Sequence, residues 1–318
     1  MDKVSIIIPC KKVDSLTKKC VKHCLELDYE DFEIILLPDT FKDELKSEGK
    51  LKVFETGEVK PSAKRNLGMK KSKGKFFAFI DSDAYPEKDW LKNAVPYFKD
   101  EKVGIVGGPN LTPEGANFWE KVSGHILSNF WISGKAAIRY RVSKNQNTHE
   151  LPTCNYLSRK EASSEYDSSL LTAEDSEFCF ECIRRGFKIL YAGDVVVYHH
   201  RRDTFGKHVK QMWVYGRDIA WLTKKKFALK DVYYSALSLF VIGFFGGAIL
   251  SLFSKIIAIL YLEALFVYFA IIFILSVKEY PWMTLWVFIG SVLTHFYYGF
   301  GYLYGLILPQ SKEHFSVR

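Results

Sequence analysis

From Val232 to its carboxyl end the sequence almost lacks charge, with four basic residues (Lys255, Lys278, Lys312, Arg318) and three acidic ones (Glu263, Glu279, Glu313). The whole chain has 44 basic and 36 acidic residues, so nearly all of its net charge of +8 lies before that point. A soluble, mildly basic part is thus followed by an apolar one. An excess this diffuse argues against nucleic acid as a partner and suits anionic lipid headgroups or a nucleotide diphosphate. Cysteines are few, and Cys10, Cys20, Cys24, Cys154, Cys179 and Cys182 form no disulfide framework, which points to a reducing compartment. Cys179 and Cys182 have metal-like spacing, but no second Cys/His pair of zinc-finger spacing follows. They fall in a helical pattern over 176–185, where one thiol can face the core. No secretory leader is expected from the opening residues: Val4-Ser5-Ile6-Ile7-Ile8-Pro9 is too short for its apolar stretch and reads as a first strand.

What is present alternates in type. Apolar runs at 4–8, 32–37, 51–54 and 76–80 are separated by helical patterns at 15–27 and 63–71. Near-continuous apolar strands alternating with helices predict an α/β domain with a mostly parallel sheet covered on both faces. A further helix is expected over 89–99 and a strand over 103–106, ending at Gly107-Gly108-Pro109-Asn110. Segments 188–190 and 195–198 read as closing strands, and 117–141 stays unassigned.

Farther on, 205–230 mixes Trp213, Tyr215, Trp221 and Phe227 with Lys207, Lys210, Arg217 and Lys224-Lys225-Lys226. That is the composition of a helix lying at a bilayer interface, although an ordinary amphipathic surface helix shares it. The uncharged stretch 233–253 would extend ~31 Å as a helix, about one hydrocarbon core. Segments 256–277, with only Glu263 inside, and 284–308, rich in Tyr, Gly and Phe, read as two further spans. The expected division is a catalytic domain over 1–204, an interface segment over 205–231, and about three transmembrane helices over 232–318. Lys224-Lys225-Lys226 and Lys230 flank the first span on the domain's side, so the positive-inside rule makes this a multi-pass membrane protein with a cytosolic catalytic domain. Glu263 inside a span costs a few kcal/mol unless neutral or paired, so it is either protonated against a neighbouring helix or turned to a path for a lipid phosphate.

Polar clusters punctuate the strand ends. Asp81 and Asp83, with Ser82 between them, follow the 76–80 run, where α/β sheets bind ligands. Two carboxylates so placed can share a hard divalent cation that grips a diphosphate, although a lone Asp-x-Asp is more often a turn or a cap. Pro9-Cys10 ends the first strand, and Asp39, after the second, can accept from a nucleobase N–H or close a turn. Segment 60–68 opens a helix whose free amides, with Lys64 and Arg65, favour an anion. Glu174-Asp175 precedes a helical stretch, a pair that equally suits the helix dipole. His199-His200-Arg201-Arg202 ends a strand, a place for a metal ligand or a diphosphate clamp. Sugar transfer from a nucleotide diphosphate needs positive charge on the leaving group and a carboxylate to take the incoming hydroxyl's proton. Asp81 and Asp83 with His200 or Arg201 answer the first need, and Asp175 or Glu174 the second.

Taken in order, Ser5-Ile-Ile-Ile-Pro9, Ala63-Lys-Arg-Asn-Leu-Gly68, Phe79-Ile-Asp-Ser-Asp83, Glu174-Asp175 and Gln211-Met-Trp-Val-Tyr-Gly-Arg217 resemble the family 2 glycosyltransferases of GT-A fold, over about two-thirds of the chain. The resemblance implies an inverting transferase using a nucleotide-diphosphate sugar, a UDP-sugar foremost, with Mg²⁺ or Mn²⁺. It implies that Pro9, Asp39, Arg65 and Asp81 hold the nucleotide, Asp83 ligates the metal, and Asp175 is the general base. Added to the residue reading, the expected donor site is Pro9, Asp39, Lys64, Arg65, Asp81, Ser82 and Arg201, with Asp83, Asp81 and His200 on the metal. Asp175 and Glu174 are the expected catalytic pair.

Departures from the family pattern narrow the expectation. Leu37-Pro38-Asp39-Thr40 stands where the family often has Asp-Asp-Gly-Ser, and Thr153-Cys154-Asn155 replaces its glycine-rich donor-sugar loop. Gln211–217 replaces the Gln-x-x-Arg-Trp of processive synthases, and no amino-terminal membrane helix is read, which favours a single transfer. The acceptor expected from the membrane segments is a polyprenyl- or dolichyl-linked lipid, in glycan or polysaccharide assembly. The rivals are a processive exopolysaccharide synthase, a non-catalytic membrane assembly factor on a degenerate transferase domain, and a metal-dependent nucleotidyltransferase.

Overall fold

A computed structural model describes residues 2–40, 45, 47–169, 172–225, 229–277 and 281–309. Lys226 and Phe227 of the expected interface segment, and the tail charges Lys278, Glu279, Lys312, Glu313 and Arg318, lie outside the described residues. The chain forms two compact units, Met1–Ala116 with Ile138–His200, and Asn117–Ala137 with Arg201–Arg318.

In chain order the first unit begins with β1 (Val4–Pro9), α1 (Ser15–Leu25), β2 (Phe32–Leu37), β3 (Leu51–Val53), α2 (Pro61–Lys71) and β4 (Phe76–Phe79). Next come β5 (Ala84–Pro86), α3 (Trp90–Ala94), β6 (Val103–Gly107) and β7 (Asn110–Leu111). The second unit then takes α4 (Phe118–Ser128) and α5 (Phe130–Ser133), filling much of the stretch that sequence left unassigned. The first unit resumes with β8 (Gln146–Thr148), β9 (Tyr156–Arg159), α6 (Glu174–Arg184), β10 (Lys188–Tyr191) and β11 (Val197–His199). The second closes with α7 (Phe205–Lys225), α8 (Ala236–Ser251), α9 (Lys255–Val277) and α10 (Thr284–Ile307).

The main sheet has the strand order β3-β2-β1-β4-β9-β6-β10-β8, with β1 parallel to both β2 and β4. Every residue of β1 and β2 is buried, as continuous apolar runs require. Period-two alternation sends Val4, Ile6 and Ile8 into one core with Cys20, Val21 and Cys24 of α1, and Ile7 into another with Phe178 and Cys179 of α6. Local signals start the helices. Asp14 caps α1 by accepting from Thr17 N at 3.0 Å, and Pro61 opens α2 where no amide partner is needed. The helix expected over 89–99 is α only to Ala94 and continues as a 3₁₀ turn, Val95–Lys99, because Pro96 has no N–H for the Lys92 carbonyl. Sequence reading missed β9, a short strand that enters the middle of the sheet antiparallel to β4 and β6.

A small second sheet, β5-β11-β7, caps the first unit beyond the end of β4. Its ladder pairs Val197 with Pro86, Tyr198 with Tyr85 and His199 with Ala84.

In the second unit, two segments are long and apolar enough to cross a membrane: Val232–Ser251 at mean hydropathy 1.8, and Lys255–Val277 at 2.5. Their apolar side chains, among them Leu239, Ile249, Leu260 and Phe266, are exposed, and so is Glu263. The third expected span, α10, is long enough, but Ser291, Thr294, His295 and four glycines lower its apolarity. Those small and polar residues are buried against other helices of the unit. The α7 helix lies against α10 so closely that a Cβ on Gly216 would sit 2.1 Å from the Tyr298 carbonyl, and one on Gly301 2.2 Å from that of Trp213.

Candidate active site

The sheet changes winding direction at β1, whose neighbours are β2 on one side and β4 on the other. A crevice opens at the carboxyl ends of such strands, and three of the sequence clusters meet there. Pro9 closes β1, Asp39 lies just beyond β2, and Asp81 just beyond β4, where the Ala84 amide returns to the Asp81 carbonyl at 3.0 Å. The start of α2 brings Lys64 and Arg65 in from one face of the sheet, and α6 brings Glu174 and Asp175.

Charge pairing inside this crevice divides the two basic residues. Lys64 is buried in an ion pair with Asp39 and also donates to the Cys10 carbonyl. Its charge therefore holds the end of β2 and orients Asp39. Arg65 forms a bridge, with Nη2 2.8 Å from Asp81 Oδ1 and Nη1 3.2 Å from Glu174 Oε1. Burial disfavours the Arg65 charge, but the Asp81 and Glu174 carboxylates outweigh it and raise its pKa. Arg65 Nε and Glu174 Oε2 are buried with no hydrogen-bond partner.

Asp175 follows Glu174 into the first turn of α6. Burial, then the charge of Glu174, push its carboxyl up to about 7, with Arg139 acting in the opposite direction. Its Oδ1 accepts from the Ser176 amide at 2.8 Å. Glu174 is also raised, first by burial, against the lowering effect of Arg65.

Asp83 meets a histidine, and the structure selects His199. Its Nε2 is 3.3 Å from Asp83 Oδ1, and one ligand atom each from Asp81, Asp83 and His199 lie within 4.8 Å of one another. The expected metal ligand, His200, instead places its ring 6.5 Å from that of Tyr85, while its amide donates to the Asp83 carbonyl at 3.1 Å. Adjacent strand residues point to opposite faces, and the tyrosine side of the β5–β11 ladder is occupied by the stacked Tyr85 and Tyr198. His199 lies on the other side, opposite the small Ala84. Two carboxylates and an imidazole within this spread fit Mg²⁺ or Mn²⁺, and the imidazole nitrogen suits Mn²⁺ better.

Of the remaining expected residues, Ser82 is buried between the two aspartates, and Arg201 begins the second unit. In the place of the family's donor-sugar loop, Asn155 is committed to the core. Its Nδ2 donates to the carbonyls of Pro109 and Val195, both at 2.8 Å, and its Oδ1 accepts from Trp90 Nε1 at 2.8 Å. That side chain ties the end of β6 to the approach of β11. All six cysteines are buried free thiols.

An α/β sheet with paired carboxylates at the β4 end, a basic bridge and an acidic helix start defines a transferase-type GT-A domain. The Glycosyl transferase family 2 profile matches residues 5–167, and the chain belongs to that family. Two archaeal relatives resemble it over most of their length. The dolichyl N-acetyl-alpha-D-glucosaminyl phosphate 3-beta-D-2,3-diacetamido-2,3-dideoxy-beta-D-glucuronosyltransferase of Methanococcus voltae is 26% identical over 84% of this chain and 86% of its own. Glycosyltransferase AglE of Haloferax volcanii is 23% identical over 67% of this chain and 72% of its own. Among solved structures, the mannosyltransferase PcManGT of Pyrobaculum calidifontis, in complex with GDP-Man and Mn²⁺, superposes at a TM-score of 0.62. That comparison covers 96% of this chain and 87% of the other at 16% identity, which identifies the fold.

Proposed function

We propose that this protein is an inverting glycosyltransferase that moves one sugar from a nucleotide-diphosphate sugar to a dolichyl- or polyprenyl-linked acceptor at the cytosolic face of a membrane. The observation that carries the reading is the Arg65 bridge, which ties Asp81 of the carboxylate pair to Glu174, the residue before Asp175. A grip for a leaving diphosphate and a base for an incoming hydroxyl are thereby held in one network. The M. voltae relative, whose name specifies a dolichyl-linked acceptor, supports the acceptor class, and α8 and α9 supply the membrane segments that such an acceptor calls for. In this reading the first unit is the catalytic domain and α8 and α9 anchor it, with Lys224 and Lys225 on the cytosolic side.

Asp81, Asp83 and His199 would hold the divalent cation. When bound, that ion offsets negative charge developing on the departing diphosphate. Arg65 adds positive charge beside Asp81, and Pro9 and Asp39, the latter fixed by Lys64, form the nucleotide end of the crevice. Asp175 takes the acceptor hydroxyl's proton as that oxygen attacks the anomeric carbon from the side opposite the diphosphate. A carboxyl held at about 7 is half ionised at neutral pH and strong enough as a base for the task.

Membranes containing the protein, incubated with a panel of UDP- and GDP-sugars and Mn²⁺, should yield a lipid-extractable product from one donor. A polymer ladder would support a processive synthase, and release of inorganic diphosphate a nucleotidyltransferase. Asp175→Asn should lower transfer at least about 100-fold while calorimetric binding of the same donor survives. Unchanged turnover in that variant would overturn the base assignment.

A further inference from the structure

The base candidate has a charged pair built in behind it. Ser176 faces two ways: its amide donates to Asp175 Oδ1 at 2.8 Å, and its hydroxyl donates to Glu150 Oε2 at 2.7 Å. The other oxygen of Glu150 is ion-paired with Arg139. One turn along α6, Cys179 Sγ accepts from the Leu151 amide at 3.5 Å and donates to the Leu151 carbonyl at 3.7 Å. Residues 176 and 179 share a helix face, so segment 150–151 is laid along the helix that carries Asp175. Arg139 is held there by its neighbours. Ile138 packs on the core cluster containing Phe178, and the Tyr191 hydroxyl donates to the Arg141 carbonyl at 2.6 Å.

The Arg139 and Glu150 side chains are only 16% and 12% exposed. Desolvating both charges costs about as much as their attraction returns, so stability is a poor reason for burying such a pair. Its position beside the base supplies a better one.

We infer that Arg139 and Glu150 are positioning residues for Asp175, with Ser176 as the link. This rests on reading Asp175 as the base. Burial and Glu174, which Arg65 of α2 holds from its other side, supply most of the rise at Asp175, and the pair acts on top of them. Tyr156 of β9, Tyr166 and Cys179 are all raised by burial, so they stay neutral at working pH. Arg139 favours the ionised form of Asp175 and Glu150 disfavours it.

The test is an infrared titration of the full-length protein in detergent micelles, following the protonated-carboxyl band that Asp175→Asn removes. The wild-type midpoint is expected at about 7. Arg139→Gln should raise it by about one pH unit, and Glu150→Gln should lower it by a similar amount. Arg139→Lys, which keeps the charge, should stay near wild type. The double variant Arg139→Gln/Glu150→Gln, which leaves no buried unpaired charge, should return toward it. A pair that only supports the fold would lower stability in the single variants and leave the midpoint in place. Midpoints that stay put, or that shift the same way in both single variants, overturn the inference. Turnover of Asp175→Asn reports separately on the base itself, so a retained rate there would remove the base role while the midpoint shifts still stood.

Discussion

Asp175 is the residue whose environment departs furthest from what its sequence position suggests. An acidic residue in the first turn of a helix is ordinarily favoured as an anion, yet burial and Glu174 push this one up to about 7. Its folded pKa thus exceeds its unfolded value near 3.8, so the folded state binds the extra proton. The associated stability is fully present below pH 3.8 and is lost as pH rises through about 7. Thermal unfolding without ligand should therefore show a midpoint that falls between about pH 4 and pH 7 and levels off above, and Asp175→Asn should flatten that slope. An equal slope in the variant would place the ionisation elsewhere. The histidine pair is decided at the same scale. His199→Ala should weaken Mn²⁺ binding on the order of tenfold or more by calorimetry, and His200→Ala should weaken it less. Neither preference is legible in the dipeptide, because one residue of strand parity determines which ring faces Asp83.

Among the elements, α7 departs most from its composition. Its mix of aromatics and cations reads as a helix with a wet face, yet Val209, Met212, Gly216, Ala220 and Thr223 are buried. Arg217 and Asp218 are buried as well, paired at 2.8 Å, with the Arg217 guanidinium 4.6 Å from the Trp221 ring. What permits this is a seam of small residues. Gly301 and Gly305 on α10, four apart, face the Trp213 and Arg217 carbonyls of α7, where any Cβ would fall 2.2 and 2.4 Å from oxygen. Gly216→Leu should therefore separate the two helices and destabilise the second unit by about 3 kcal/mol or more, read as a lower unfolding temperature in detergent. The same packing explains α10 itself. A helix that buries Ser291, Thr294 and His295 against protein need not be apolar all round, so α10 falls below α8 and α9 in hydropathy although it is as long.

For the molecule as a whole, the exposed apolar surfaces of α8 and α9 have the stronger consequence. Only 11% and 6% of their most apolar windows are buried, and exposed patches on that scale mark a surface that meets a membrane or another protein. The protein should stay in the pellet when membranes are washed with alkaline carbonate and should enter solution only with detergent. Release by carbonate alone would remove the membrane anchor from the proposed function. The fold of the first unit does not depend on that outcome, since its two core clusters are formed by its own strands and helices.

The sequence by itself determined the α/β layering of the first unit, the run of motifs that marks the family, the carboxylate pair at the end of β4 and the apolar α8 and α9. These are local properties: a buried strand is a continuous apolar run, and a bilayer-length helix is a long one. Only the tertiary structure decided which histidine faces Asp83, that Lys64 is occupied by Asp39, and that Arg65 reaches Glu174, 109 residues away in the chain, as well as Asp81. It alone placed Glu150 and Arg139 behind Asp175 and brought α7 against α10. Each of these depends on which face a side chain occupies and on what arrives there from a distant segment. Neither leaves a periodic trace in the residues themselves.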